Sequence, residues 1–142
     1  IRAKGDTEID FHHTVEDVGI AIGQAFDKAL GDRKSITRYG SSTVPFDETL
    51  SNSHIDLSGR PYFVFDVKLD NSKVGDFDVE LAKEFFQSLT NNLKANIHIE
   101  LKYGSNNHHI IESIFKSVGK SLDVATSLDL RSNSVPSTKG NL

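Results

Sequence analysis

The sequence holds no cysteine, no methionine and no tryptophan, and only three prolines among its 142 residues. Without cysteine there can be no disulfide framework, thiolate nucleophile, iron–sulfur cluster or cysteine-type zinc site. Basic residues are not in excess. Sixteen Lys and Arg stand against twenty Asp and Glu, a formal net charge of −4, which argues against nucleic acid as a partner. No apolar run is long enough to span a bilayer and no signal-peptide core is visible, so no membrane partner is expected. A soluble, cytoplasmic protein is the expectation that remains. The first position lacks methionine too: Ile1-Arg2-Ala3-Lys4 alternates like the end of a strand, and the start reads as a cut edge.

What is present is ordinary for a globular chain: 37% hydrophobic, 25% charged, mean hydropathy −0.35. A chain of this length buries roughly two-thirds of its unfolded surface, enough for a core. Gly5–Asp10 reads as a turn and extended entry. Val15, Val18, Ile22, Phe26 and Leu30 recur at three and four, predicting a helix from His12 to about Leu30 that Gly31-Asp32 stops. Residues 34–50 read as loop, interrupted by Tyr39-Gly40-Ser41-Ser42 and Pro45. His54–Leu57 and Tyr62–Leu69 read as strands facing one another across the Ser58-Gly59-Arg60-Pro61 turn. A second helix is expected from about Val79 to Asn91, a strand from Ala95 to Tyr103, and a third helix from His108 to about Ala125. The polar tail has the composition of a disordered segment.

An internal repeat is the most informative feature. His12-His13-Thr14-Val15-Glu16 lies over His108-His109-Ile110-Ile111-Glu112, and downstream Val18 falls on Ile114, Ile22 on Val118, Gly23 on Gly119 and Phe26 on Leu122. The fold class expected is α+β: two similar repeats, each packing helices on one face of a mainly antiparallel sheet, the first repeat incomplete. A single domain spans 1–142, with a first repeat over about 1–50, a second over about 51–125 and a tail over 126–142.

Four of the six histidines sit in these two pairs. On a helix, residues three or four apart share a face, so His12, His13 and Glu16 can converge, as can His108, His109 and Glu112. Adjacent histidines point about 100° apart, so one pair can serve two metals. Imidazole and carboxylate suit first-row divalent ions such as Mn, Fe, Co or Zn, and six such donors exceed what a structural zinc site uses. One copy alone reads as a solvated helix start. Two copies at equivalent places do not, because no packing rule demands them. His54 and His98, each in a strand, read as ordinary strand histidines. Arg33, Lys34, Arg38, Arg60, Lys116 and Ser137-Thr138-Lys139-Gly140 could together clamp a phosphate or carboxylate, although each taken singly reads as surface charge.

These residues resemble a known family, the imidazoleglycerol-phosphate dehydratases. Gly5-Asp6 and Ile9-Asp10-Phe11-His12-His13-Thr14-Val15-Glu16-Asp17-Val18-Gly19-Ile20 are similar to its first signature. Asn107-His108-His109-Ile110-Ile111-Glu112 with Phe115-Lys116 is similar to its second, and Val135-Pro136-Ser137-Thr138-Lys139-Gly140 to its C-terminal motif. Gly31-Asp32-Arg33-Lys34, Arg38-Tyr39-Gly40, Asp56–Tyr62 and Val74–Asp78 resemble the segments between. The resemblance implies a hydro-lyase of histidine biosynthesis that converts imidazole glycerol phosphate to imidazole acetol phosphate with two Mn2+ ions per active site. It also implies self-assembly into a 24-subunit shell with metal sites between subunits. Carried over by position, His12, His13, Glu16, His108, His109 and Glu112 would hold metal. Arg38, Arg60, Lys116, Ser137 and Lys139 would hold the substrate phosphate, and Glu112 or Glu16 would move protons.

Two departures qualify the expectation. The family's upstream Gly-Phe-Leu-Asp-His-Met-type segment, with a further ligand and an acidic residue, is not in this sequence. Glu84 also stands where many relatives have His, and a carboxylate there can still ligate. The competing expectation is a non-catalytic, metal-bridged assembly module or an inactive fragment of the enzyme. A zinc hydrolase is weaker, since it explains neither the repeat nor the tail.

Overall fold

The computed structural model describes residues 1–70 and 72–142. Helix α1 runs His12–Leu30, and strands β1 (Tyr39–Phe46), β2 (Thr49–Asp56) and β3 (Tyr62–Asp66) follow. A short hairpin, β4 (Lys73–Val74) and β5 (Phe77–Asp78), leads into α2 (Leu81–Leu93), β6 (Asn96–Tyr103) and α3 (Asn107–Thr126). The main sheet has the order β1-β2-β6-β3, antiparallel except where β3 pairs parallel with β6. The class is therefore α+β on a mainly antiparallel sheet. No helix among the described residues is long and apolar enough to cross a membrane.

The three helices form where the 3.6-residue periodicity predicts them, within two residues at each end. Three strand expectations are corrected. The segment read as loop contains β1, and Pro45 is tolerated there because β1 is an edge strand, where a missing N–H costs least. The strand after the Ser58–Pro61 turn does not pair with β2. It lies beyond β6, with Phe63 opposite Ile97 and Phe65 opposite Ile99, because the connection through α2 returns β6 into the gap between them. Ile1–Lys4 forms no strand, having no partner strand beside it among the described residues. The tail is irregular yet anchored: Ile36 bridges Leu128, and Ser35 N–H donates to the Ser134 carbonyl at 3.0 Å.

The core lies between the sheet and helices α2 and α3. Ile55, Ile97 and Ile99 meet Phe86, Leu89 and Leu93 of α2 and Ile110, Ile114, Val118 and Leu122 of α3. Side chains of a strand alternate between faces, so the same register sends His54 and His98, cross-strand neighbours, to the opposite, solvent-facing side. Helix α3 approaches β1 and β2 closely because the contact is built from small polar residues. Ser51 Oγ and Ser113 Oγ lie 2.6 Å apart, as do Ser53 Oγ and Ser121 Oγ, and the helix serines also donate to the Val44 and Ser53 carbonyls. A Cβ on Gly40 would collide with the Ser121 carbonyl oxygen. These hydroxyls are buried and satisfied, which removes the desolvation penalty of a polar interior.

Arg33, offered by the sequence as part of an anion clamp, is structural instead. It is 4% exposed and donates to the Leu57, Leu93 and Lys94 carbonyls and to Asp27. It thereby caps the C-terminal end of α2, where unpaired carbonyls concentrate negative potential. Burial disfavours ionised Asp27, but hydrogen bonds from Lys94 and Arg33 outweigh it and hold the carboxyl below its ordinary value.

Candidate active site

The start of α3 is tightly organised. After β6, Asn106 adopts an extended conformation as N-cap, and its Oδ1 accepts from the backbone N–H of His108 at 2.9 Å and of His109 at 3.3 Å. One helical turn on, Glu112 accepts from His108 Nε2 at 3.0 Å and from Lys116 Nζ at 2.8 Å. The Lys116 hydrogen bond is the main reason the Glu112 carboxyl sits below its ordinary value. His109 turns the other way and donates from Nδ1 to Glu48 Oε2 at 2.6 Å. That hydrogen bond, with the Asn106 N–H, pulls the Glu48 carboxyl down to about 2 and pushes the His109 imidazole up. The Phe46 ring lies edge-on to His109, and its face receives the Lys116 ammonium at 4.2 Å.

The start of α1 is looser. Phe11 occupies the N-cap position without a side-chain acceptor, so Asp10 Oδ1 accepts the His12 N–H at 2.8 Å instead. His13 donates from Nδ1 to Asp6 at 2.9 Å, which raises the imidazole above its usual value. The rings of His12 and His13 stand 6.2 Å apart, much as His108 and His109 do at 6.0 Å. The Glu16 carboxylate makes no hydrogen bond or ion pair among the described residues.

The six expected metal donors are thus gathered as two units at two helix starts. Among the described residues, no three His, Asp or Glu side chains come together closely enough to hold a metal ion within one chain. Glu84 stands in the first turn of α2. His54 Nδ1 pairs with the Ser41 hydroxyl at 2.9 Å, and the His98 ring lies beside Tyr62.

The anion-binding set divides four to one. Arg38, Arg60, Ser137 and Lys139 line one cleft of about 690 Å³ where the tail folds over the β1 edge, while Lys116 lies outside its lining, on Glu112. Arg38 is spent largely on protein acceptors: Nε and Nη2 donate to the two Asp56 oxygens at 2.7 and 3.2 Å, and Nη1 to the Pro136 carbonyl at 2.7 Å. The guanidinium of Arg60 and the ammonium of Lys139 are exposed in the cleft, beside the Ser137 hydroxyl. A cleft with two open cations and a hydroxyl suits a phosphate.

Sequence reading assigned no role to Glu48, Asp56 or Asp6. Glu48 lies at the tip of a hairpin inside a stretch read as loop. No local pattern singles it out, because its partners His109 and Asn106 lie about sixty positions away.

Comparison with known proteins bears on both units. A family model described as imidazoleglycerol-phosphate dehydratase matches residues 1–122. The chain is 59% identical over 142 residues to the imidazoleglycerol-phosphate dehydratase of Pelobacter propionicus, covering all of this chain and 73% of that protein. It is 53% identical to the Streptococcus mutans enzyme over the same span. Among solved structures, the dehydratase of Staphylococcus aureus superposes with a TM-score of 0.82 at 43% identity, covering 88% of this chain and 71% of that one.

Proposed function

The chain belongs to the imidazoleglycerol-phosphate dehydratase family, and on that premise we propose a manganese-dependent hydro-lyase that converts imidazole glycerol phosphate to imidazole acetol phosphate. The observation that carries this reading is the cleft, where residues far apart in sequence, Arg38 with Arg60 and Ser137 with Lys139, face one space. The substrate's phosphate docks there on Arg60, Lys139 and Ser137, while Arg38 holds the Pro136 carbonyl and so the loop that carries Ser137 and Lys139. Lys116 joins the set as expected from position only if it leaves Glu112.

The donor set fits a divalent ion in kind. Neutral imidazoles with carboxylates and no thiols suit Mn2+, and each unit offers fewer donors than such an ion takes. His12, His13 and Glu16 together with His108, His109 and Glu112 would hold two ions, the two units meeting between copies of the chain. When bound, the metal supplies Lewis-acid polarisation and a template for the imidazole ring. The hydroxyl beside the ring leaves with its electron pair, the neighbouring carbon loses its proton, and the resulting enol becomes the ketone. No carbonyl activates that C–H bond, so the proton needs a positioned base. Glu112 and Glu16 are the carboxylates at hand, and a general base of this kind contributes about 10²–10⁴-fold. Self-association into the family's 24-subunit shell and a cytoplasmic location belong to the same reading.

Lys139→Ala tests it. KM for imidazole glycerol phosphate should rise more than about tenfold with kcat little changed, since loss of one charged hydrogen bond is worth about 1.5–3 kcal/mol. An unchanged KM removes the tail from the site. Light scattering on the chelated protein, with and without added Mn2+, tests the shared metal sites. Assembly that returns with Mn2+ but brings no turnover would instead favour a structural, metal-bridged module.

A further inference from the structure

We infer that Glu48 is a positioning residue that fixes the tautomer of His109, so that Nε2 is the nitrogen offered to metal. The inference rests on the reading of His109 as a ligand and extends it to a residue outside the two signatures. A carboxylate only accepts, so the 2.6 Å contact with Glu48 Oε2 requires the proton on Nδ1, and in the neutral imidazole, the form that ligates metal, the lone pair then sits on Nε2. The carboxylate is itself immobilised. Its other oxygen, Oε1, accepts from the backbone N–H groups of Ser105 at 3.3 Å and Asn106 at 2.9 Å. One oxygen therefore grips the turn that leads into α3 and the other grips the imidazole. Phe46 packs against the ring edge and limits its rotation.

The first unit repeats the arrangement with different material. His13 corresponds to His109 in the repeat, and it too donates from Nδ1 to a carboxylate outside its helix, Asp6 at 2.9 Å. The second histidine of each pair is thus presented in the same tautomer, although one partner comes from a β-hairpin and the other from the segment before α1. Two unrelated local structures reaching one outcome indicates that the outcome matters to the site. Orientation of a ligating imidazole by a carboxylate on its other nitrogen is a common way to raise ligand basicity and fix ring direction.

The test uses the whole protein stripped of metal, with Mn2+ as the probe. Glu48→Ala should weaken Mn2+ binding, read from the free-ion EPR signal, by about 10–100-fold. The 15N spectrum of histidine-labelled metal-free protein should show His109 losing its uniform Nδ1–H form. Glu48→Gln, whose carbonyl can still accept from Nδ1, should retain that tautomer and most of the affinity, and it serves if the alanine variant fails to fold. Asn106→Ala loosens the same turn without touching the imidazole and should leave the tautomer intact. Unchanged Mn2+ affinity with an Nδ1–H His109 in Glu48→Ala, or loss of that tautomer in Glu48→Gln, overturns the inference. Unchanged affinity in His109→Ala would overturn the ligand reading itself, a separate outcome.

Discussion

The two His-His-x-x-Glu helices share a sequence pattern but not a setting. Helix α3 lies on β1 and β2, its stripe Ile110, Ile114, Val118 and Leu122 buried and its serines bonded to the sheet. Among the described residues, helix α1 packs on no strand of the main sheet as α3 does. It packs on α2, and its buried residues are Gly19 and Gly23, while Val15, Val18, Ile22, Phe26 and Leu30 are only partly covered. An apolar groove of about 420 Å³ runs beside it, lined by Val15, Val18, Ile22, Phe77, Phe85 and Phe115. Complete burial of an aliphatic side chain is worth about 1.5–3 kcal/mol, so the half-covered stripe of α1 contributes less than that of α3. The difference carries through to the site. The second unit is capped by Asn106 and braced by a hairpin, whereas the first depends on Asp6 and Asp10 in an exposed segment. A repeated motif conserves the donors, and each half supplies its own scaffold.

The largest test of that comparison is catalytic. Glu16→Gln and Glu112→Gln should each lower kcat/KM by at least about 10²-fold with the fold retained, measured by circular dichroism beside the assay. Loss in only one of them would show that the two units are not equivalent in the reaction. Next comes Gly23→Ala, whose Cβ would lie 2.8 Å from the Leu89 carbonyl oxygen and 2.9 Å from the Leu93 nitrogen. It should destabilise by about 1–3 kcal/mol in a denaturant titration, as overpacking does. The repeat-equivalent change, Gly119→Ala, meets nothing within 4 Å and should stabilise by up to about 1 kcal/mol through helix propensity. Equal signs at the two positions would contradict the packing difference. Asn106→Ala should cost about 1 kcal/mol as a lost N-cap, with Phe11→Ala costing nothing through capping because the Phe11 side chain accepts no helix N–H and its carbonyl keeps the bond from Val15.

The smallest effect concerns pH and belongs to the α1–α2 junction. Asp27 has its folded pKa held below the unfolded value of 3.8. Its contribution to stability is therefore fully present above that unfolded value and fades as pH falls through the folded one. Asp27→Asn should remove that part of the acid limb in urea titrations. A wild-type acid limb unchanged by Asp27→Asn would take Asp27 out of the junction's ion-pair network.

Much of the molecule was legible without coordinates. Residues sharing one helix face are fixed by 3.6-residue periodicity, so all three helices could be read from the chain, and with them the contact of His108 with Glu112 one turn later. The imidazole and carboxylate side chains on which the metal proposal rests are likewise visible in the sequence alone. Non-local information was not legible. Nothing near residues 39–46 announces an edge strand, because its partner, β2, decides whether it extends. Nothing in the Tyr62–Asp66 run says that it pairs parallel with Asn96–Glu100 across β6 and not with the strand just before it.

The sequence by itself determined the helices, which rest on neighbours within about one helical turn, and the recurrence of His-His-x-x-Glu at two of their starts. Only the tertiary structure decided which ammonium and guanidinium groups share a cleft, that Arg33 is a buried cap while Arg60 stays open, and that Glu48 and Asp56 hold His109 and Arg38. Those assignments depend on strand order and on a tail folded across the sheet edge. The physical reason is that a hydrogen bond between residues tens of positions apart exists only after the chain between them has been placed.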